Sequence, residues 1–174
     1  MPLSRHPRRP PGGSRQRPGA TGATEPRRPA IDRAAATDRL LRSFIERIWN
    51  RGEVEAAPEF VATLYKVRHD PGDPWHGRDL DLAEFQERVR AGRAPFPDQR
   101  FVICELLAGE DQAFLSWTWT GTHLAAIGDF AATGKVVSTS GLTLYDFEGG
   151  RLRGHWQVVD RLGVFQQLMR NRQG

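Results

Sequence analysis

Two side chains near the ends of predicted strands are suited to acid–base chemistry, and Asp160 is the first of them. Alternation along the strand predicted over 151–160 places Trp156, Val158 and Asp160 on one face. A carboxylate at the end of such an apolar row is desolvated, and desolvation raises its pKa toward the range of a general acid or base near neutral pH. The same aspartate precedes a short helical pattern, so it is also placed to cap that helix. On spacing alone both roles stay open.

His123 is the second of these side chains, and it shares a predicted strand face with Trp117 and Trp119. An imidazole in a pocket hydrogen-bonds a ligand oxygen or a catalytic carboxylate, whereas a histidine at a strand end is often satisfied locally. Trp117, Trp119 and Trp156 are either core side chains or the aromatic wall of a pocket for a small organic ligand. The sequence leaves each pair of alternatives open.

Other familiar constellations are weak or missing in this sequence. His69 and His76 flank a loop rich in proline, glycine and aspartate at 68–77, and two histidines on an irregular loop are a poor metal site, so we expect no metal. We find no glycine-rich phosphate loop, no G-x-S-x-G motif and no Ser/His/Asp arrangement. Cys104 is the single cysteine, which excludes an intramolecular disulfide, and its place in a predicted strand favours a buried, inert thiol.

The elements that would position these residues fall into two groups. Spacings of three and four between apolar residues predict helices in the first half, and a period of two predicts an antiparallel meander of strands in the second. Helices followed by long strands are typical of an α+β domain whose helices cover one face of a curved sheet around an apolar pocket. The predicted helices cover 32–50, 54–65 and 80–90, and the predicted strands cover 100–107, 112–123, 136–147 and 151–160.

Composition predicts one globular domain. The 174 residues are 39% hydrophobic, which is enough for one core. Neither a run of about 18 apolar residues nor a secretory signal occurs, so we expect a cytoplasmic protein. The net charge of +4 arises in residues 1–30, which hold seven arginines, seven prolines and one acidic residue. We therefore expect a disordered Arg/Pro-rich tail over 1–30 and a folded domain over 31–174 that binds neither nucleic acid nor a membrane.

Several short motifs follow one another along the folded part. They are FIERIWNRGE (44–53), the His-Asp-Pro at 69–71 with Gly77 behind it, APFPDQRF (94–101), GTH (121–123), ATGK (132–135) and HWQVVDRLGVFQQL (155–168). In this order the motifs resemble the SnoaL-like polyketide cyclase (ester cyclase) family, a branch of the NTF2-like superfamily, over about 36–168. The resemblance implies an NTF2-like cone, in which a curved antiparallel sheet of about four to six strands and three N-terminal helices enclose an apolar pocket.

The resemblance also implies a mechanism. In that family a strand-borne aspartate ahead of a Leu-Gly pair is the general acid/base, and it corresponds to Asp160. The implied reaction needs no cofactor, because the carboxylate removes a proton from a carbon next to carbonyls and the enolate closes a ring by intramolecular aldol condensation. His123 is the implied donor to the enolate oxygen. The residues implied to contact a small hydrophobic substrate are Trp117, Trp119, Trp156, Val158 and His69.

Two functions of different classes follow from the resemblance. One is a cyclase or isomerase of a polyketide-like molecule in bacterial secondary metabolism such as antibiotic biosynthesis, with Asp160 as its base. The other is a non-catalytic small-molecule-binding or accessory protein of the same fold, in which Asp160 is only a helix cap. The resemblance further implies a homodimer or a tetramer.

Overall fold

The computed structural model describes residues 27–172. The tail predicted over 1–30 therefore lies outside the described residues, except for residues 27–30, which begin the first helix. None of the helices in this part of the chain has the length and apolar character that crossing a membrane requires. The helices and strands of this part of the chain surround an interior cavity.

The first helical segment agrees with the helix predicted over 32–50. Helix α1 (Arg27–Phe44) runs directly into a π-helical segment (Ile45–Asn50). Leu41 and Ile48 are fully buried, because apolar residues three and four positions apart share the helix face that packs on the sheet. This face forms one side of the core.

The second predicted helix, over 54–65, is wrong in its second half. A single helical turn (Val54–Ala56) and helix α2 (Ala57–Phe60) are followed at once by strand β1 (Val61–His69). β1 is hydrogen-bonded on both sides to other strands. These pairings stabilise an extended conformation in a segment whose short apolar pattern also fitted a helix, so tertiary contacts outweigh the local signal.

Six strands form one mixed sheet. After β1 come β2 (Asp79–Asp81), β3 (Arg100–Ala108), β4 (Gln112–Thr122), β5 (Val136–Glu148) and β6 (Arg151–Val159), and their order is β2-β1-β6-β5-β4-β3. The four strands predicted from alternation are confirmed to within one residue, and they form the expected antiparallel meander. β1 pairs with β6 in parallel, which the sequence did not indicate.

Two further helices complete the α+β fold. Helix α3 (Leu82–Arg93) begins at a capping box, in which Asp81 accepts a hydrogen bond from the backbone N–H of Glu84 at 2.8 Å and Glu84 accepts one from the backbone N–H of Asp81 at 3.1 Å. It packs on β1 and β2, whereas helix α4 (Arg161–Asn171) follows β6 directly and packs on β5. Helices and sheet together enclose the cavity expected for a cone.

The sheet has a buried inner face and a partly exposed outer face. Leu115 and Val137 are fully buried inside, whereas Leu107 and Leu142 are exposed outside. Cys104 is exposed, so the expected buried thiol is wrong. The pairing of β3 with β4 shifts register between Ile103 and Glu105, and such an irregularity turns the local side chains away from the simple alternation.

Candidate active site

The interior cavity has a volume of about 520 Å³ and lies between the inner sheet face and the helices. Aromatic rings and polar side chains both form large parts of its wall. Such a lining suits a small organic ligand that carries a few polar groups. The aromatic residues are Trp49, Tyr65, Trp75, Phe96, Phe101, Trp117, Trp119 and Tyr145, and the polar ones are Asp73, Arg88, Gln99, Thr139, His155, Gln157 and Arg161.

Two of the predicted substrate contacts, Trp117 and Trp119, lie in this wall. Both are more than nine-tenths buried, and each indole N–H has a partner. Trp117 donates to Thr143 Oγ1 at 2.9 Å, and Trp119 lies 3.4 Å from Gln99 Oε1. The hydrogen bonds fix the rings, so both are placed to contact a ligand, and that contact stays a prediction.

Asp160 does not face the cavity. It is exposed and caps α4, where its Oδ1 accepts a hydrogen bond from the backbone N–H of Gly163 at 2.8 Å. Trp156 and Val158 share its side of β6 and are 42% and 48% exposed. The alternation predicted for this strand is correct, but the inward face is the other one, with His155 and Gln157. Hydrophobicity predicts the set with Trp156 and Val158 for the core, but the structure places that set on the outer face.

The two predicted histidines also lie away from the cavity lining. His69 stacks on the outer-face Trp156, with ring centroids 4.7 Å apart and an interplanar angle of 12°. His123 is fully buried at the end of β4, where its Nδ1 is 3.3 Å from Thr133 Oγ1 and its ring lies against Phe96. Its backbone carbonyl accepts hydrogen bonds from the loop that follows β4. Nε2 of His123 is buried without a hydrogen-bond partner among residues 27–172, so the role of His123 stays a prediction.

A hydrogen-bonded pair that the sequence did not single out occupies the cavity wall. Tyr65 Oη lies 2.7 Å from His155 Nδ1, and His155 Nε2 is 3.7 Å from Asp70 Oδ2. We assign the imidazole proton to Nε2, because Nδ1 then accepts a hydrogen bond from the Tyr65 hydroxyl. Nε2 is buried without a hydrogen-bond partner among residues 27–172, and the nearest carboxylate oxygen is that of Asp70. Burial lowers the pKa of His155 and raises the pKa of Tyr65. Both groups are therefore neutral near pH 7.

Asp70 is fully buried behind this pair. Its oxygens accept hydrogen bonds from Arg88 Nη2 at 3.1 Å, Gln157 Nε2 at 2.6 Å and Arg161 Nη2 at 2.5 Å. Burial alone would raise the pKa of Asp70, but its contact with His155 and the charges of the two arginines outweigh burial and hold the pKa well below its usual range. Asp70 is therefore ionised near neutral pH.

A chain of side-chain hydrogen bonds fixes the orientation of Gln157. Trp117 donates to Thr143 Oγ1, so the Thr143 hydroxyl is free to donate to Gln157 Oε1 at 3.1 Å. The amide nitrogen of Gln157 then donates to Asp70. The aromatic wall and the buried carboxylate thus belong to one connected network.

The sequence held partial signals for these residues. Asp70 lies in the His-Asp-Pro motif, and His155 opens the C-terminal motif, but their meeting depends on the parallel pairing of β1 with β6. Tyr65 fell in the segment interpreted as helix. Within residues 27–172 no group of three or more His, Cys, Asp or Glu side chains is arranged to hold a metal ion, and His76, considered for such a site, accepts a hydrogen bond from the Asp70 backbone N–H at 2.9 Å.

Proteins of known family and structure resemble this chain in both sequence and fold. The profile of the family described as SnoaL-like polyketide cyclase matches residues 39–168. The chain is similar to a candidate polyketide cyclase from Acidithiobacillus ferrooxidans, with 48% identity, a TM-score of 0.75 and coverage of 78% of this chain and 96% of that one. Two less similar solved structures share the fold. IdmH from Streptomyces antibioticus, a candidate polyketide cyclase, has 21% identity and a TM-score of 0.65, with coverage of 76% of this chain and 98% of that one. AclR from Streptomyces galilaeus, a candidate hydroxylase, has 20% identity and a TM-score of 0.65, with coverage of 79% of this chain and 98% of that one. No curated protein matches the chain.

Proposed function

Because the chain belongs to the SnoaL-like polyketide cyclase family, we propose that it is a cofactor-independent cyclase or isomerase of a polyketide-like molecule. The aromatic cavity encloses the substrate, and a buried tyrosine–histidine pair transfers the proton. The observation that carries the proposal is the 2.7 Å hydrogen bond between Tyr65 and His155 in the cavity wall, with the ionised Asp70 behind it. Neutral partners of this kind are ready to exchange a proton without first losing one to solvent.

The proposed reaction is an intramolecular aldol ring closure. The phenolic oxygen of Tyr65 takes a proton from a carbon that lies between two carbonyl groups, while its own proton moves to Nδ1 of His155. The enolate carbon attacks a second carbonyl of the same molecule, which forms one carbon–carbon bond and leaves an alkoxide. The proton returns through the same pair and gives the product hydroxyl. Protons and electrons balance without a cofactor, and the cavity holds the reacting carbons together.

Asp70 supports this transfer through its charge. When His155 accepts the proton it becomes an imidazolium, and a carboxylate 3.7 Å from Nε2 stabilises that cation. The general acid/base role that the resemblance gave to Asp160 is assigned here to the Tyr65–His155 pair, because Asp160 is exposed and its carboxylate caps α4. Asp70 then acts as a positioning and charge-stabilising residue.

Tyr65→Phe tests the proposal directly. The variant removes the hydroxyl that transfers the proton, so turnover of a panel of β-dicarbonyl polyketide esters should fall by about 100-fold or more while binding persists. Tyr145→Phe is the matched control. It removes a phenol from the same cavity, on the strand beside His155, but not the one bonded to Nδ1, and its turnover should stay within a few-fold of wild type. Equal turnover in wild type and Tyr65→Phe contradicts the mechanism.

A second function, a non-catalytic ligand-binding or accessory protein of this fold, is supported by one observation. Asp160, the residue that the resemblance marked as the base, has no access to the cavity. Under this function a ligand binds with one molecule per cavity and is recovered unchanged from wild type, and Asp160→Asn alters neither binding nor stability because asparagine is also a good cap. Chromatography of the bound molecule after incubation distinguishes the two functions.

We also propose that the protein acts in the cytoplasm as a homodimer or tetramer that uses the outer sheet face. Trp156, Val158 and Leu142 are neighbours there and are 42–48% exposed. Exposed apolar patches of this kind mark protein interfaces. Light scattering of Trp156→Glu should then report a smaller species than wild type, whereas a monomeric wild type contradicts this assembly.

A further inference from the structure

Arg88 is a buried cation in the wall of the cavity. It projects from α3, its side chain is 7% exposed, and its guanidinium carbon lies 5.5 Å from the centre of the Trp49 ring. A guanidinium group held in one place by an aromatic face and carboxylates is an organised donor rather than a mobile surface charge. Those of its N–H groups that have no protein partner can therefore hydrogen-bond a ligand in the cavity.

Arg88 uses only one of its three nitrogens within the described part of the chain. Nη2 donates to Asp70 at 3.1 Å and to Asp73 at 2.9 Å. Nε is buried there without a partner, and Nη1 makes no hydrogen bond to residues 27–172. An arginine carries five N–H groups. Nε is enclosed by its surroundings, so the two N–H groups on Nη1 are those that remain available to a cavity ligand. Unused buried donors are uncommon in folded proteins, because leaving them unpaired is unfavourable.

The charges around Arg88 are balanced before a ligand arrives. Arg88 and Arg161 together face Asp70 and Asp73, and Asp70 bridges the two arginines. Negative charge that develops on a ligand beside Nη1 of Arg88 is thus met by donors, while both carboxylates are already paired with arginine nitrogens. Hydrogen bonds from a guanidinium to an anionic oxygen are about twice as strong as those between neutral groups.

We propose that Arg88 forms an oxyanion subsite, which binds an enolate, phenolate or carboxylate oxygen of the cavity ligand. The inference deepens the proposed function and rests on it for the reaction, since the enolate formed at Tyr65 needs such a partner. It also narrows the ligand class to molecules with an acidic or enolisable oxygen next to an apolar ring system. Arg88 then takes the electrostatic role that the family resemblance implies for His123.

The test uses a probe that is bound but not turned over. 4-Nitrophenol fits a cavity of this size and absorbs differently as phenol and phenolate, so a pH titration of the bound probe gives its apparent pKa. We expect the wild-type protein to lower that pKa by at least one unit, which is a tenfold preference for the anion. 4-Nitroanisole, the neutral methyl ether, should bind equally to wild type and to the variants below and reports an intact cavity.

Three variants assign the effect. Arg88→Met should lose the preference for phenolate, whereas Arg170→Met, which removes an exposed arginine of α4, should keep it. Arg88→Lys retains a positive charge for Asp70 and Asp73 and serves if the methionine variant does not fold; it should bind 4-nitroanisole normally and show a reduced preference. Three results overturn the proposal. They are an unchanged pKa of 4-nitrophenol bound to wild type, no binding of 4-nitrophenol at millimolar concentration, and the same lowered pKa in both Arg88 variants as in wild type. A shifted probe without turnover of any ester leaves the subsite in place and removes the catalytic function.

Discussion

Asp70, Arg88, Arg161, Gln157 and His155 form a buried polar cluster. Replacing Asp70 with asparagine keeps the shape of the side chain and removes the negative charge around which the cluster is arranged. Asp70 is fully buried and accepts hydrogen bonds from Arg88, Arg161 and Gln157. After the substitution, Arg88 keeps Asp73 as its only anionic partner among residues 27–172. We therefore expect Asp70→Asn to lower the free energy of unfolding substantially while the fold persists.

The size of the loss follows from the burial of the two arginines. Removing one partner of a buried ion pair costs about 3–5 kcal/mol. Arg88 retains a second carboxylate, and Arg161 is 41% exposed so that water screens its pair. We expect the lower end of the range, about 3 kcal/mol, which for a chain of this size lowers Tm by roughly 6–12 °C.

The pH dependence gives a second signature of the same charge. The pKa of Asp70 is held well below its usual range in the folded state by its contact with His155 and the two arginines, against the opposing effect of burial. Its contribution to stability is therefore complete above the unfolded pKa of about 3.9 and is lost as the pH falls from there through the folded pKa. The difference between wild type and Asp70→Asn should therefore shrink below about pH 4.

Urea unfolding followed by tryptophan fluorescence measures both effects. Asp79→Asn is the matched control, since Asp79 is 44% exposed and pairs with Lys66 at 3.3 Å on the surface. That control should change the free energy of unfolding by less than about 0.5 kcal/mol. A loss below about 1 kcal/mol in Asp70→Asn, or a difference that persists unchanged into acid, would refute the assignment of Asp70 as the shared charge of the cluster.

Three further predictions concern the cap, the buried imidazole and the cavity wall. Asp160→Ala should lose about 1 kcal/mol in urea unfolding, whereas Asp160→Asn should lie within about 0.5 kcal/mol of wild type; equal losses contradict the cap. Burial lowers the pKa of His155, so folding disfavours its protonated form and stability should fall as the pH drops below about 6.5 toward the folded pKa; His155→Gln should remove this part of the acid-side decline. Gly141→Ala places a methyl group against the Trp117 ring and should lose about 1–3 kcal/mol. In Gly92→Ala, on α3, the added methyl lies 3.7 Å from the Trp49 ring, so the variant should be neutral or more stable by up to about 1 kcal/mol. The reverse order in thermal unfolding contradicts this packing.

The strands between residues 100 and 159 could be predicted from sequence because alternation is a local pattern that the observed sheet preserves. β1 could not, since its extended conformation depends on two partner strands, one of them about 90 residues away in sequence. The polar cluster around Asp70 could not be predicted either, because it also depends on residues that are distant in sequence. Asp70 becomes part of it only when α3 and α4 bring arginines to the end of β1.

The inward face of β6 shows a different limit of sequence analysis. Hydrophobicity favoured Trp156 and Val158 as the buried set, and on an ordinary soluble sheet that choice is sound. Here the inward set contains His155 and Gln157, because their polar atoms find partners in Tyr65 and Asp70. A functional cavity reverses the usual rule, since its lining must keep polar groups that a packed core would exclude.

The parallel pairing of β1 with β6 also determines when the site comes into existence during synthesis. Tyr65 and His155 are 90 residues apart, and Asp70 and Arg161 are 91 apart. Contacts of such long range form late and slowly compared with local ones. A nascent chain that ends before β6 therefore has a phenol, a carboxylate and an aromatic wall but no imidazole to join them. Ligand binding during translation should therefore begin only after β6 and α4 have left the ribosome.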